Sequence, residues 1–384
     1  MEVYFDNSAT TRCYDSVKDI VVKTMTEDYG NPSAMHGKGV EAEKYIKESA
    51  AKLAALLKVQ EKEILFTSGG TESDNLALVG AAMANKRSGN HIITTAVEHP
   101  AVSQPALYLQ EQGFEVTYLP VDKRGVVKMD ALEAVLRPDT ILVYVMYVNN
   151  EVGAVMPIEE IAKKIREKSP KALFHVDAIQ AFGKYKIHPK KMGIDLLSVS
   201  GHKIHGPKGV GFLYINEKAK IQPQILGGGQ QNGMRSGTDN VPGIAGLGMA
   251  AEEICKNLDA NAEKMYALKE YIARGLEKIG DIRINGMELR EGAPQILSIS
   301  VMGVRSEVLL HSLEERNIYV SAGSACSSHK RKPSSTLTAM GMPKDQIEST
   351  VRLSFCEENT IEEADCFLHV MEELVPMLRR YSRR

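Results

Sequence analysis

Lys203 lies in Ser200-Gly201-His202-Lys203-Ile204-His205-Gly206-Pro207-Lys208-Gly209, among small residues and imidazoles, just after an apolar stretch that reads as a strand. A lysine amine is a nucleophile only when unprotonated, which burial or a neighbouring cation achieves. In a polar loop most lysines are solvated charges, so the neighbouring segments must decide. Asp177 ends the apolar run Phe174-His175-Val176-Asp177, where an unpaired carboxylate is costly. A cationic ring nitrogen would pair with it; a cap on the next turn is the plainer alternative. In Phe66-Thr67-Ser68-Gly69-Gly70-Thr71-Glu72 a strand, a glycine turn and a helix start follow one another, and the N–H groups of such a junction bind phosphate. That segment lacks both the GxxxxGK[ST] and the GxGxxG pattern. An amine nucleophile, a buried acid and a phosphate cradle together point to pyridoxal 5'-phosphate (PLP), whose protonated ring acts as an electron sink.

His99, in Val97-Glu98-His99-Pro100, follows the run His91–Thr95 and offers a planar ring that could stack on a cofactor. Cys326 lies in the small, polar, unpatterned stretch 321–328 and precedes His329-Lys330-Arg331-Lys332. Such a stretch reads as an exposed loop. Positive charge beside a thiol favours the thiolate, the reactive form. Cys255 and Cys366 fall on helical patterns and read as packing residues.

The elements that must hold these residues are legible from periodicity. Glu63–Thr67, His91–Thr95, Glu115–Leu119, Ile141–Met146, Leu173–Val176, Leu196–Val199 and Val210–Ile215 read as seven strands, several apolar on both faces, as in a covered, mostly parallel sheet. Helix starts at Thr71 and Pro157 lie between them, so the fold class is α/β with helices flanking the sheet. Ligands of such sheets bind at the carboxyl ends of the strands. Beyond Gly227–Gly233 the pattern turns to long helices over 241–279, strands at Ile296–Val301, Ile318–Ser321 and Val351–Phe355, and a capping box at Thr360–Glu363. We expect a large PLP-binding domain over 15–250, and a smaller α+β domain of 1–14 and 251–384 that carries Cys326.

Composition narrows the setting. Of 384 residues, 47 are Lys or Arg and 49 are Asp or Glu, a balance that gives no electrostatic reason for a nucleic-acid or membrane-surface partner. No apolar run approaches the roughly 18 residues of a membrane span, and the amino terminus has no signal pattern. Five cysteines without a CxxC argue against a disulfide framework or a zinc ribbon and for a reducing cytoplasm.

Taken in order, YFDNSATT at 4–11, YGNPSAMHGKG at 29–39, FTSGGTESDN at 66–75, VEHPAV at 97–102, VNNEVG at 148–153, HVDAIQ at 175–180, SGHKIHGPKG at 200–209, GGGQQNGMRSGT at 227–238, SAGSACSS at 321–328 and VRLSF at 351–355 resemble the cysteine desulfurases of the NifS/IscS type, class V aminotransferase-like PLP enzymes of fold-type I. The resemblance runs nearly end to end. It implies that Lys203 is the Schiff-base lysine, that Asp177 partners the pyridine nitrogen and that Gln180 donates to the ring hydroxyl. His99 would stack over the ring and handle a substrate proton. Gly70, Thr71, Ser200 and His202 resemble the phosphate cradle, and Thr238 the residue that a second subunit adds to it, which implies a homodimer with shared active sites. Asn150 and Arg352 resemble the contacts to L-cysteine, and Cys326 the nucleophile that takes its sulfur, leaving a persulfide and L-alanine. A sulfur-acceptor or iron–sulfur scaffold protein would collect that sulfur. Pro100 stands where the family often has Lys, SAGSAC replaces the commoner SSGSAC, and the loop after Cys326 is unusually basic.

Three other readings compete. A selenocysteine lyase or another class V PLP lyase or aminotransferase would share the fold. A metal hydrolase would use His175, Asp177, His202 and His205, although no metal is expected from these spacings. A sulfur-carrier scaffold would keep the fold without turnover. The PLP reading predicts that the purified protein is yellow and that Lys203→Ala abolishes this visible absorption, which a spectrum of each protein checks; an equally yellow variant would move the anchor to another lysine.

Overall fold

The computed structural model describes residues 1–322 and 333–382; Cys326 and the basic run after it lie outside the described residues. The large sheet contains β1 (Ile64–Thr67), β2 (His91–Thr95), β3 (Glu115–Leu119), β4 (Thr140–Met146), β5 (Leu173–Asp177), β6 (Leu196–Ser200) and β7 (Gly211–Ile215). Their order is β1-β7-β6-β5-β4-β2-β3, with β7 antiparallel to both neighbours and the other pairings parallel. The seven expected strands thus form one mostly parallel sheet, each within a residue of its expected ends.

Alternation along the strands splits the sheet between two cores. Ile92, Leu142, Tyr144, Leu196 and Leu213 face one, with Val102, Ala106 and Leu109 of α3. Ile93, Val143, Val145, Phe174, Leu197 and Phe212 face the other. Both faces are covered, so every residue of β4 is buried, and a side chain of either parity must be apolar or paired. The covering helices used below are α1 (Asp15–Thr26), α2 (Gly70–Asn75, continued to Asn85 through a wide π turn), α3 (Pro100–Glu111) and α4 (Val241–Lys256).

A third core gathers Val3 and Phe5 with residues from Met265 to Leu378. Its antiparallel sheet contains β8 (Ile282–Asn285), β9 (Ile296–Val301), β10 (Ser321–Ala322) and β11 (Thr350–Ser354), in the order β10-β11-β9-β8. The expected single strand Ile318–Ser321 is instead two. Ile318–Tyr319 pairs in parallel with Val3–Tyr4, while Ser321–Ala322 pairs with Arg352 and Val351, so the chain changes sheets at Val320. The capping box at Thr360 forms: its N–H donates to Glu363 Oε2 at 2.8 Å, and the Glu363 N–H donates to Thr360 Oγ1 at 3.3 Å.

Candidate active site

The carboxyl ends of β1, β2, β4, β5 and β6 lead directly into Gly70, His99, Asn150, Asp177 and Lys203. Lys203 sits in a single 3-10 turn, Gly201–Lys203, after β6. Its Nζ donates to the carbonyl oxygens of Ser8 and Ala9, the latter at 2.7 Å. The amino-terminal segment is laced to this turn: Thr11 N–H donates to the His202 carbonyl at 2.9 Å, and Thr11 Oγ1 accepts from His205 N–H at 2.7 Å. Beneath it the buried Lys184 donates from Nζ to the Lys203 carbonyl at 3.0 Å, and burial pushes that amine down.

Asp177 is 5% exposed and accepts from the Ile179 N–H at 2.8 Å. Burial raises its carboxyl above the usual range, against the lowering effects of that bond and of Lys203. Behind it Asp74 of α2 is fully buried, and burial together with the Asp177 charge raises its carboxyl further. His175 stacks on Tyr144 at 4.0 Å, shares a hydrogen bond with Ser198 Oγ at 2.8 Å, and is held neutral by burial. Gln180 Nε2 donates to the Ser8 carbonyl at 3.0 Å.

A cavity of about 350 Å³ opens at the start of α2, lined by Gly70, Thr71, Ser200 and His202 with Thr10 and Lys208. Gly69 has φ +147°, where a side chain would be strained, and a Cβ on Gly70 would come within 2.2 Å of Ile179 Cδ1, so the Ile179 side chain would have to shift. His202 is pushed down to about 4 by burial, with Lys203 and Lys208 adding to the effect, and is therefore a neutral hydrogen-bonding group at this cradle.

A second cavity, of about 450 Å³, is lined by His99, Asn150 and Arg352 together with Glu98, Glu151 and Ser334. His99 caps α3: its Nδ1 accepts from the Ala101 N–H at 3.1 Å, which leaves the ring proton on Nε2. Burial and then Lys203 lower its pKa, so the resting imidazole is neutral and presents an N–H donor. Arg352 donates from Nη1 to the Asn150 carbonyl at 2.8 Å and from Nη2 to Asp6 Oδ1 at 2.7 Å. Both flanks of the segment holding Cys326 meet this cavity. Ser321 pairs with Arg352, and Ser334 Oγ donates to Glu151 Oε2 at 2.5 Å.

Most of the residues singled out in the sequence therefore converge, with three qualifications. Cys326 lies outside the described residues. Thr238 is exposed and lines neither cavity, although its loop is pinned by Arg235, whose Nε donates to Glu72 Oε1 at 2.9 Å. The four residues of the metal-hydrolase reading do not gather. Among the described residues, the one group of three or more His, Cys and acidic side chains with ligand atoms within 4.8 Å of one another is His205, Cys356 and Glu357, and Glu357 is already engaged by Tyr14.

Sequence reasoning missed Glu98, Asp74, Lys184 and Asp6. Glu98 precedes His99; its Oε1 accepts from Thr95 Oγ1 at 2.7 Å and from Met146 N–H at 3.0 Å. Burial pushes its carboxyl up to about 8. An acid flanked by residues aligned with a buried strand end was the available signal.

The profile of the Aminotransferase class-V family matches residues 3–367, and the chain belongs to that family, whose enzymes are PLP-dependent. A protein of Methanosarcina thermophila called cysteine desulfurase IscS is 44% identical over 380 residues, spanning 99% of this chain and 93% of its own length. A cysteine desulfurase of Nostoc is 42% identical over 381 residues, spanning 99% of this chain and 94% of its own. Among solved structures, a NifS-like protein superposes with a TM-score of 0.93 at 41% identity, covering 98% of this chain and all (100%) of that one. The apo cysteine desulfurase of Thermococcus onnurineus superposes with a TM-score of 0.88 at 28% identity, covering 98% and 95%.

The raised Glu98 carboxyl has a measurable consequence in the cofactor-free protein. Its folded pKa of about 8 lies above the ordinary 4.5, so the folded chain keeps a proton that the unfolded chain releases, and this group's contribution to stability is lost as pH rises through that window. Glu98→Gln removes the dependence. The melting temperature of the variant should gain on that of the unsubstituted protein between about pH 4.5 and pH 8; a constant difference across the window would mean that Glu98 ionises normally.

Proposed function

We propose that this chain is a cysteine desulfurase that uses PLP to convert L-cysteine to L-alanine and passes the sulfur to Cys326. The observation that carries the reading is the pair of groups at adjacent strand ends, the buried Asp177 carboxyl and the half-buried Lys203 amine, beside a cavity at a helix start that can cradle an anion. Asp177 needs a cationic partner, the cradle suits a phosphate, and the amine suits an aldehyde, so the residues fit PLP. When bound, PLP supplies an electron sink at the substrate Cα.

The protein's own residues then divide the work. Asp177 keeps the ring nitrogen positive. Gly70, Thr71, Ser200 and His202 hold the phosphate, with Thr238 of a second subunit completing the cradle in a homodimer, and Gln180 donates to the ring hydroxyl. Arg352 and Asn150 take the substrate carboxylate, which fixes the Cα–H bond relative to Lys203. The Lys203 amine, which would hold the cofactor aldehyde before substrate arrives, would then be the base that takes the Cα proton. His99, capped on Nδ1 by Ala101, donates from Nε2 and so serves first as an acid. Cys326 Sγ, as the thiolate, attacks the substrate sulfur: an S–S bond forms, the C–S bond breaks, and its electron pair returns to the substrate carbon, which is protonated on the way to alanine. The run His329-Lys330-Arg331-Lys332 favours that thiolate.

Residues 15–250 form the cofactor domain in this reading, and 1–14 with 251–384 the smaller one; the separate core around Val3, Phe5 and Met265–Leu378 supports the division. The persulfide sulfur goes to an acceptor or iron–sulfur scaffold protein. Cys13, Cys255, Cys356 and Cys366 are free thiols, in keeping with a reducing cytoplasm. Among the described residues no helix is long and apolar enough to cross a membrane.

Cys326→Ala should retain the visible absorption yet lose sulfide release from L-cysteine under reductant, by a factor on the order of 100 or more, because the proposed sulfur nucleophile is gone. Sulfide and alanine assays on both proteins check this, and a variant that desulfurates at the full rate would remove Cys326 from the reaction. Comparing cysteine with selenocysteine separates this activity from that of a selenocysteine lyase.

A further inference from the structure

Arg352 is committed before any substrate arrives. Two of its nitrogens are engaged, Nη1 by the Asn150 carbonyl at 2.8 Å and Nη2 by Asp6 Oδ1 at 2.7 Å, and the guanidinium is 8% exposed against 21% for the Asp6 side chain. Asp6 cannot easily swing aside. Its backbone bridges to Ser354, two residues beyond Arg352 on β11. The flanking bonds are Ser354 N–H to the Phe5 carbonyl at 2.7 Å and Asn7 N–H to the Ser354 carbonyl at 3.1 Å. The positive groups acting on Asp6 are Arg352 and Lys203. The Asp6–Arg352 pair is neutral, so a substrate carboxylate docking on the same guanidinium adds a second negative charge to a poorly solvated place.

We propose that Asp6 is a positioning residue that both orients Arg352 and, by neutralising it, loosens the grip of the pocket on α-carboxylates, so that substrate is held no more tightly than turnover needs and L-alanine is released. The proposal rests on the reading of the site as that of a cysteine desulfurase. Spending less binding energy on the carboxylate, which is present in substrate and product alike, favours product release over ground-state binding.

Asp6→Asn separates the two roles, because its amide oxygen still accepts from Nη2 while the charge is gone. In the PLP-loaded enzyme we expect the KM for L-cysteine, and the Kd for L-alanine read from the visible spectrum, each to fall by about tenfold. Binding of ethylamine, alanine without its carboxylate, should not change. Asp6→Ser, also neutral, is the second variant should the amide fail to fold with cofactor, and should shift the same two constants downward. Unchanged or weakened L-alanine binding in a folded variant, or an equal shift for ethylamine, would overturn the proposal. Failure of the underlying reading looks different: the unsubstituted enzyme then makes no alanine from cysteine, whereas L-alanine binding still reports on Asp6.

Discussion

A carboxyl group buried at the end of β5 needs a positive partner, and much of this molecule is arranged around that need. Asp177 is 5% exposed, with Asp74 and Glu98 also buried nearby and all three raised toward the neutral acid. Such a cluster of acids would be a poor way to stabilise a core. It makes sense as a floor whose Asp177 carboxyl ionises when a cation is laid against it. The parallel sheet supplies the geometry: both faces are covered, so groups at its strand ends are desolvated, and adjacent strand ends place Asp177 and Lys203 side by side.

The amino-terminal segment couples this floor to the rest of the chain. Residues 3 and 5 belong to the core of the smaller sheet, Asp6 holds Arg352, Ser8 and Ala9 accept from Lys203, and Thr11 is bonded to the turn that carries it. A short run with alternating outward and inward contacts thus ties Arg352, proposed to take the substrate carboxylate, to Lys203, proposed to take its proton. A strand slip there would move both. The flanks of the Cys326 segment, at Ser321 and Ser334, join the same pocket through Arg352 and Glu151.

The sheet was legible in the sequence because a doubly covered strand has to be apolar or paired at each position, and β4, TILVYVM, is apolar over most of its length, with Thr140 paired to His91. Lys203, Asp177 and Gly70 were legible for a related reason: each follows such a strand, where a polar or glycine residue interrupts an apolar run. Asp6 was not. Its partner Arg352 lies 346 positions away, and a lone aspartate after VYF carries no sign of that pairing. Glu98 was not singled out, because Thr95 and the Met146 N–H converge on it only once β2 and β4 are adjacent. The change of sheet at Val320 was hidden likewise, since IYVS has one period throughout and only the partners differ.

The central claim is that Lys203 is where this protein carries its cofactor. Borohydride reduction of the protein expressed with PLP, followed by proteolysis and mass spectrometry of the peptides, tests it directly. The account predicts the added mass of reduced PLP on the peptide containing Lys203. Label on Lys184 or Lys208 instead, or no label on any lysine, would contradict it.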